Sequence, residues 1–271
     1  MRQYVASENL DKKGILYVHG KEFKYFSSVL RLKAGDMIYV RLLDGTLQPM
    51  TVSKIDSAER CVVLQCAGSK QEKQNLGANE APPLQKNTGT ELWLFQFIAK
   101  PPKMELILRQ AVECGVSYFV PVVGEFCQKG NVESAVKKSD ESDERWKRIV
   151  TEAREQSGSP VATKILKALS VKEAALLWKE KCSSKNAKAV VLYEQTESTL
   201  PIQEALKTDS KTSCAAICVG AEGGISPNEV LLLQENGFCP IHFETNILRC
   251  ETAALYGIAA VQTMLTIMEK S

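Results

Sequence analysis

Residues 214–229 read CAAICVGAEGGISPNE. Six apolar residues in a row, Cys214 to Val219, suit a strand covered on both faces, the condition of a central strand in a parallel sheet. The run breaks into Gly220, Gly223 and Gly224, then into Ser226, Pro227 and Glu229, where an N-cap, a proline at the first helical position and a glutamate at the third predict a helix start. The loop therefore belongs at the carboxyl end of a central strand, the place where open α/β sheets bind ligands. A tight turn with positive φ would account for one glycine; three in five positions point to a backbone that a ligand approaches closely. The spacing is not G-x-G-x-x-G and no Lys-Ser/Thr follows, so neither a dinucleotide nor a nucleoside triphosphate is indicated.

The arrangement recurs downstream. PIHF (240–243) reads as a short strand, ETNILR (244–249) as a loop, and ETAALYGIAAVQTMLTIMEK (251–270) as a long final helix. Two such loops at one sheet edge can enclose an adenosine-sized ligand with main-chain groups. The final helix carries Ala253, Ala254, Gly257, Ala259 and Ala260 and is apolar on more than one face, which predicts close packing on two sides, one of them against a second protomer.

From residue 91 onward, strand-like runs alternate with helical patterns, the grammar of an α/β domain with a mostly parallel sheet, over 91–271. In PKMELILRQAVECG, Pro102 suits the first turn and Gly115 the stop. Residues 1–70 instead show short alternating runs (GILYVHG, DMIYVRLLDG, MTVSKID, RCVVLQC) at about ten-residue spacing, which predicts a small all-β barrel or sandwich. Asp44-Gly45 marks a tight turn there, and KEFKYFSSVLRL its one helical piece. Residues 71–90, rich in breakers and poor in apolar side chains, read as a linker.

Composition narrows the function classes. A chain of 271 residues, 44% apolar and 24% charged, is that of a soluble globular protein, and no run reaches the roughly 18 apolar residues of a membrane span. MRQYVASENL has no apolar leader core, so a cytoplasmic location is expected. Nine cysteines include no C-x-x-C, and with only His19 and His242 no metal site is expected; Cys214 and Cys218 read as core. A net charge of +2 excludes a strongly basic RNA-coating protein and leaves site-like RNA binding open.

With these pieces in order, the whole chain resembles the 16S ribosomal RNA (uracil-N3) methyltransferases, the small subunit methyltransferase E family of the SPOUT class. The residues that carry this are Val29-Leu30-Arg31 followed by Asp44-Gly45, KMELILRQAVECGV (103–116), EQSG (155–158) and, most specifically, GAEGG (220–224) and ILRCETAAL (247–255). The resemblance implies a PUA-like β-barrel followed by a SPOUT-type, trefoil-knotted, mostly parallel α/β domain, a homodimer, and S-adenosylmethionine held by the knot loops. It implies Gly220, Glu222, Gly223, Gly224, Ile247, Leu248, Arg249 and Thr252 as cofactor-binding residues. Arg31, Lys103 and Glu251 fall on the RNA side. Methyl transfer from a sulfonium needs positioning more than acid–base machinery, and a cation facing the developing uracil anion would lower the barrier. Arg249 is the candidate for that catalytic role, with 16S RNA or the small ribosomal subunit as partner.

Some residues read two ways. Arg249 is either that cation or a loop arginine paired with Glu222 or Glu251. Glu251 is either functional or a first-turn carboxylate favoured by the helix dipole. The chain also departs from the family pattern with Ala221 for proline, Phe243-Glu244 for leucine-glycine, Asn246 and Phe126 for arginines, Gln110 for lysine and Cys250 for threonine. Glu244 inside the cofactor pocket would favour a binding protein that no longer methylates, and Glu244 turned outward would favour an enzyme; an enzyme for another RNA is the third reading.

Overall fold

The computed structural model describes residues 3–66, 89–140, 143–182, 186–195, 199–208 and 210–269. The chain divides into two compact units, Met1–Gln85 with Glu155–Pro160, and Lys86–Arg154 with Val161–Ser271. The expected linker lies outside the described residues except for Gly89 and Thr90.

The first unit contains β1 (Gln3–Val5), β2 (Ile15–His19), α1 (Gly20–Lys24) running into a π-helical turn at Tyr25–Val29, β3 (Met37–Arg41), β4 (Leu47–Asp56) and β5 (Cys61–Cys66). The strands form one sheet in the order β1-β3-β4-β5-β2. All pairs are antiparallel except β1 with β3. β1, only three residues long, gives no alternation to read and was not expected. Asp44-Gly45 makes the predicted turn: Gly45 has φ 84°, its N–H donates to Leu42 O at 2.9 Å, and Asp44 Oδ1 accepts from Thr46 N at 2.8 Å. Phe23 and Phe26 of the helical piece bury against Tyr4, Leu16, Val18, Val40, Met50 and Leu64.

The EQSG stretch has a structural reason in this unit. Glu155 Oε1 accepts from Val5 N at 3.1 Å, and the buried Arg41 guanidinium donates to Gln3 Oε1, to Gly45 O and to Gly158 O.

The second unit runs β6 (Glu91–Phe97), α2 (Pro101–Glu113), β7 (Tyr118–Val123), α3 (Lys129–Lys138), α4 (Glu144–Ser157), β8 (Lys164–Ile165), β9 (Leu169–Ser170), α5 (Val171–Cys182), β10 (Ala187–Leu192), α6 (Ile202–Ala205), β11 (Cys214–Val219), α7 (Pro227–Glu235), β12 (Phe238–Ile241) and α8 (Cys250–Met268). Its sheet has the order β12-β10-β11-β6-β7-β8, with β9 also on β7, and every pair is parallel. β11 is buried at all six positions, Cys214, Ala216 and Cys218 in one core layer and Ala215, Ile217 and Val219 in the other. The predicted caps hold: Gly115 ends α2 at φ 76° with Val116 N donating to Ala111 O at 2.9 Å, and Glu229 Oε2 accepts from Ser226 N at 2.9 Å at the start of α7.

α8 has 19 residues and is long and apolar enough to cross a membrane by length and mean composition, although Glu251, Thr252, Gln262, Thr263 and Thr266 interrupt any continuous apolar run. Here the helix packs on the sheet through Ala254, Gly257, Ile258, Val261 and Leu265. A Cβ on Gly257 would lie 3.0 Å from Leu192 and 3.2 Å from Ile217, so the small residue sets how closely helix and strands approach.

Candidate active site

A cavity of about 360 Å³ opens at the carboxyl ends of β10, β11 and β12, in the size range of small-molecule sites. Its walls are the end of β10 (Leu192–Glu194), the glycine loop after β11 (Val219–Ile225), the loop after β12 (Ile241–Phe243 and Thr245–Leu248), and Cys250 and Ala253 of α8. The two loops expected to meet do meet. β10 lies between their strands and adds a third wall that no sequence signal announced.

Each glycine already has an intramolecular reason. A Cβ on Gly220 would sit 3.0 Å from the Gly224 backbone and from Ile225, because the loop doubles back on itself. A Cβ on Gly223 would fall 2.8 Å from Cβ of Phe126. Gly224 adopts φ 77°, with Glu194 Oε1 3.5 Å from where its Cβ would be. The loop is further tied by Gln96, fully buried in β6, whose Nε2 donates to Val219 O at 3.4 Å and Gly220 O at 3.2 Å.

Glu222, Lys103 and Glu251 come together. Lys103 Nζ stands 3.0 Å from Glu251 Oε2 and 3.6 Å from Glu222 Oε1, and Glu222 Oε1 accepts from Lys100 N at 3.2 Å. Cys250 Sγ lies 3.8 Å from the same ammonium and donates to Glu251 Oε2 at 3.3 Å. Burial, with the Glu251 contact, pushes the Cys250 thiol up to about 12, so it stays protonated. The Lys103 pKa is raised, mainly by Glu251. For Glu251, burial would raise the pKa, but hydrogen bonds from its own backbone, Lys103 and Cys250 outweigh it and the net shift is downward. The lysine expected to face RNA is thus the partner of both carboxylates, and the alternative pairing of Arg249 with Glu222 or Glu251 does not occur.

Arg249 is the N-cap residue of α8, where its carbonyl accepts from Ala253 N at 2.7 Å. Its side chain is exposed and, among the described residues, makes no hydrogen bond or ion pair. Ile247, 90% exposed, and Leu248 are on the cavity wall, whereas Arg249 and the exposed Thr252 are not. Glu244 is also exposed and off the wall, the outward placement that favours an enzyme. In the first unit Arg31 is exposed and holds φ 52°, a left-handed conformation that costs a non-glycine residue about 1 kcal/mol, as the π-helical turn closes with Leu32 N donating to Phe26 O at 3.1 Å. Among the described residues no group of three His, Cys, Asp or Glu could hold a metal ion.

This architecture matches a known family. Residues 86–262 match the RNA methyltransferase domain family, well over half of the chain. The chain belongs to that family. Among its relatives, the ribosomal RNA small subunit methyltransferase E of Aquifex aeolicus is 28% identical over 82% of this chain and 93% of its own. The ribosomal RNA small subunit methyltransferase E 2 of Borreliella burgdorferi is also 28% identical, over 98% of both chains. The crystal structure of the Neisseria gonorrhoeae ribosomal RNA small subunit methyltransferase E bound to S-adenosyl methionine shares the fold, with a TM-score of 0.73 at 24% identity over 97% of this chain and 98% of that one.

Proposed function

We propose that this chain methylates N3 of a uridine in 16S ribosomal RNA, with S-adenosylmethionine as donor. The observation that carries the reading is the cavity at the ends of β10, β11 and β12, walled by a preformed glycine loop, in a chain whose relatives of that name align over nearly its full length. The residues fit the cofactor: the cavity is large enough for most of a nucleoside, and its wall alternates loop backbone with Leu192, Ile225, Ile247 and Leu248. Gly220, Glu222, Gly223, Gly224, Ile247 and Leu248 would hold it, with Glu194 as an added carboxylate. Bound there, the cofactor supplies an electrophilic methyl group on a sulfonium.

The protein's part is placement and charge. The Gln96 bonds and the Lys103 bridge hold the glycine loop still, so its geometry is set before any ligand arrives. Arg249, cationic and without a protein partner among the described residues, is available to face the negative charge that grows on uracil as the N3 proton leaves. Arg31 lies on the RNA side in the same reading; its strained backbone presents an exposed guanidinium.

The finer architecture belongs to the same proposal: a PUA-like first unit, a trefoil knot formed by the segments around the cavity, a homodimer and a cytoplasmic site of action. The exposed Leu255 and Tyr256 on the small-residue helix α8 support the second protomer. Calorimetric titration of S-adenosylmethionine into the protein, followed by transfer of labelled methyl to small-subunit RNA, is the test. Saturation near one site per chain and label at uridine N3 are expected; folded protein that neither binds nor transfers, with RNA present, would sink the reading.

A further inference from the structure

The cavity takes up only half of the sheet's carboxyl edge. Its walls come from β12, β10 and β11, while the adjoining strands β6 and β7 end in loops outside it. The loop after β7 holds Phe126, an aromatic side chain left 46% exposed, with its Cβ placed against Gly223 of the cavity wall.

This exposure is constructed. Cys127 N donates to Gly124 O at 3.1 Å and Gly124 N to Cys127 Sγ at 3.3 Å, closing a turn around Phe126. Glu125 N donates to Glu229 Oε1 at 2.7 Å, which ties the turn to the first turn of α7. Two glycines make room for it: a Cβ on Gly124 would overlap Phe97 at 2.4 Å, and one on Gly223 would overlap Phe126 at 2.8 Å. One of the three glycines of the cavity loop therefore serves to seat this aromatic ring beside the cavity. A turn held in this way presents its aromatic side chain without further ordering of the backbone when something stacks on it.

Its surroundings select the occupant. Phe126 follows Glu125, an exposed carboxylate, and Gly223 follows Glu222, whose side chain is 32% exposed; both disfavour a phosphate placed directly against the ring. Lys103 offsets Glu222 only within the bridge it already makes. A neutral π-face is not repelled, and stacking on an aromatic side chain needs no charge.

We propose that Phe126 is the stacking platform for a nucleobase of the RNA, holding an unpaired base next to the methyl-donor cavity; this rests on the RNA-methylating reading above. Stacking contributes roughly five- to hundredfold in affinity per base. The test compares Phe126→Leu, Phe126→Ala, Phe126→Tyr and Phe126→Trp. Three readouts are taken: the S-adenosylmethionine Kd, KM and kcat for small-subunit RNA, and fluorescence-anisotropy binding of a short oligouridylate with S-adenosylhomocysteine present. Leu and Ala are expected to raise the RNA KM and the oligouridylate Kd about tenfold, Tyr and Trp to stay within about threefold of the parent, and cofactor Kd to be unchanged throughout. Leu behaving like the parent, Tyr failing as badly as Leu, or cofactor affinity falling in step would each overturn the proposal. If the unmodified protein transfers no methyl to RNA, the functional reading fails instead, and the oligouridylate comparison still decides whether the ring stacks a base.

Discussion

The two loops that face each other across the cavity are built differently. The loop after β11 is fastened from several directions: Gln96 holds its first carbonyl, Lys100 and Lys103 hold Glu222, and Phe126 leaves no room for a side chain at Gly223. The loop after β12 is anchored at its start, where His242 Nδ1 lies 2.6 Å from Thr199 Oγ1 and Phe243 packs edge-on against Tyr256. Beyond that it bonds within itself, with Thr245 N donating to Phe243 O at 2.7 Å and Thr245 Oγ1 to Asn246 O at 3.1 Å, and it leaves Glu244, Ile247 and Arg249 exposed. One wall is preformed and the other offers side chains to whatever arrives. In an enzyme that positions two substrates, a fixed wall suits the cofactor and an uncommitted one the RNA.

Arg249→Ala should give the largest effect. Methyl transfer should fall by about a hundredfold or more, with the melting temperature and the cofactor Kd nearly unchanged, since the exposed side chain makes no hydrogen bond or ion pair among the described residues. Near-parent turnover would remove Arg249 from the mechanism and erase the contrast between the loops. Gly223→Ala attacks the fixed wall: overlap with Phe126 should cost about 1–3 kcal/mol of stability and weaken cofactor binding by roughly tenfold, measured by denaturant unfolding and calorimetry. A variant as stable as the parent would mean that this wall yields.

Lys103→Met leaves Glu222 and Glu251 without their cation. The side chains are 18–32% exposed, so solvent screens much of the loss, and about 1 kcal/mol with a severalfold rise in cofactor Kd is expected. The pH response has a defined sign. Glu251, with its pKa lowered by folding, stabilises the bridge above its unfolded pKa of about 4.3 and loses that contribution as pH falls. Lys103, with its pKa raised, contributes below about pH 10.4 and loses that contribution as pH rises. Cofactor affinity should therefore be flat from about pH 6 to 9 and weaken on both sides in the parent, and the acid limb should shrink in the Met variant. Glu244→Gln should do least, less than a twofold change in cofactor Kd, because the carboxylate is exposed and off the wall. A large gain in affinity would show that Glu244 does reach the ligand.

Much of this was legible because it rests on local rules. The β11–loop–α7 unit, the stop at Gly115, the Asp44-Gly45 turn and the burial of Cys214 and Cys218 follow from periodicity, capping and the φ demands of glycine. The shift from antiparallel to parallel grammar followed from the lengthening of the connections. On the cavity wall, Gly220, Glu222, Gly223, Gly224, Ile247 and Leu248 come from the two loops that recognisable strands lead into, and the family resemblance had singled out those residues.

What the tertiary structure decided are relations between residues far apart in the chain. That β10 sits between β11 and β12, bringing Glu194 to the cavity, depends on strand order, which no local pattern encodes. That Lys103 rather than Arg249 pairs with Glu251 spans 148 positions, and that Gly223 is glycine for the sake of Phe126 spans 97. The sequence by itself determined where chain elements begin and end, because capping, φ restriction and apolar period act within a few residues. Which side chains meet was left to packing, because contact across a sheet edge depends on the arrangement of all its strands at once.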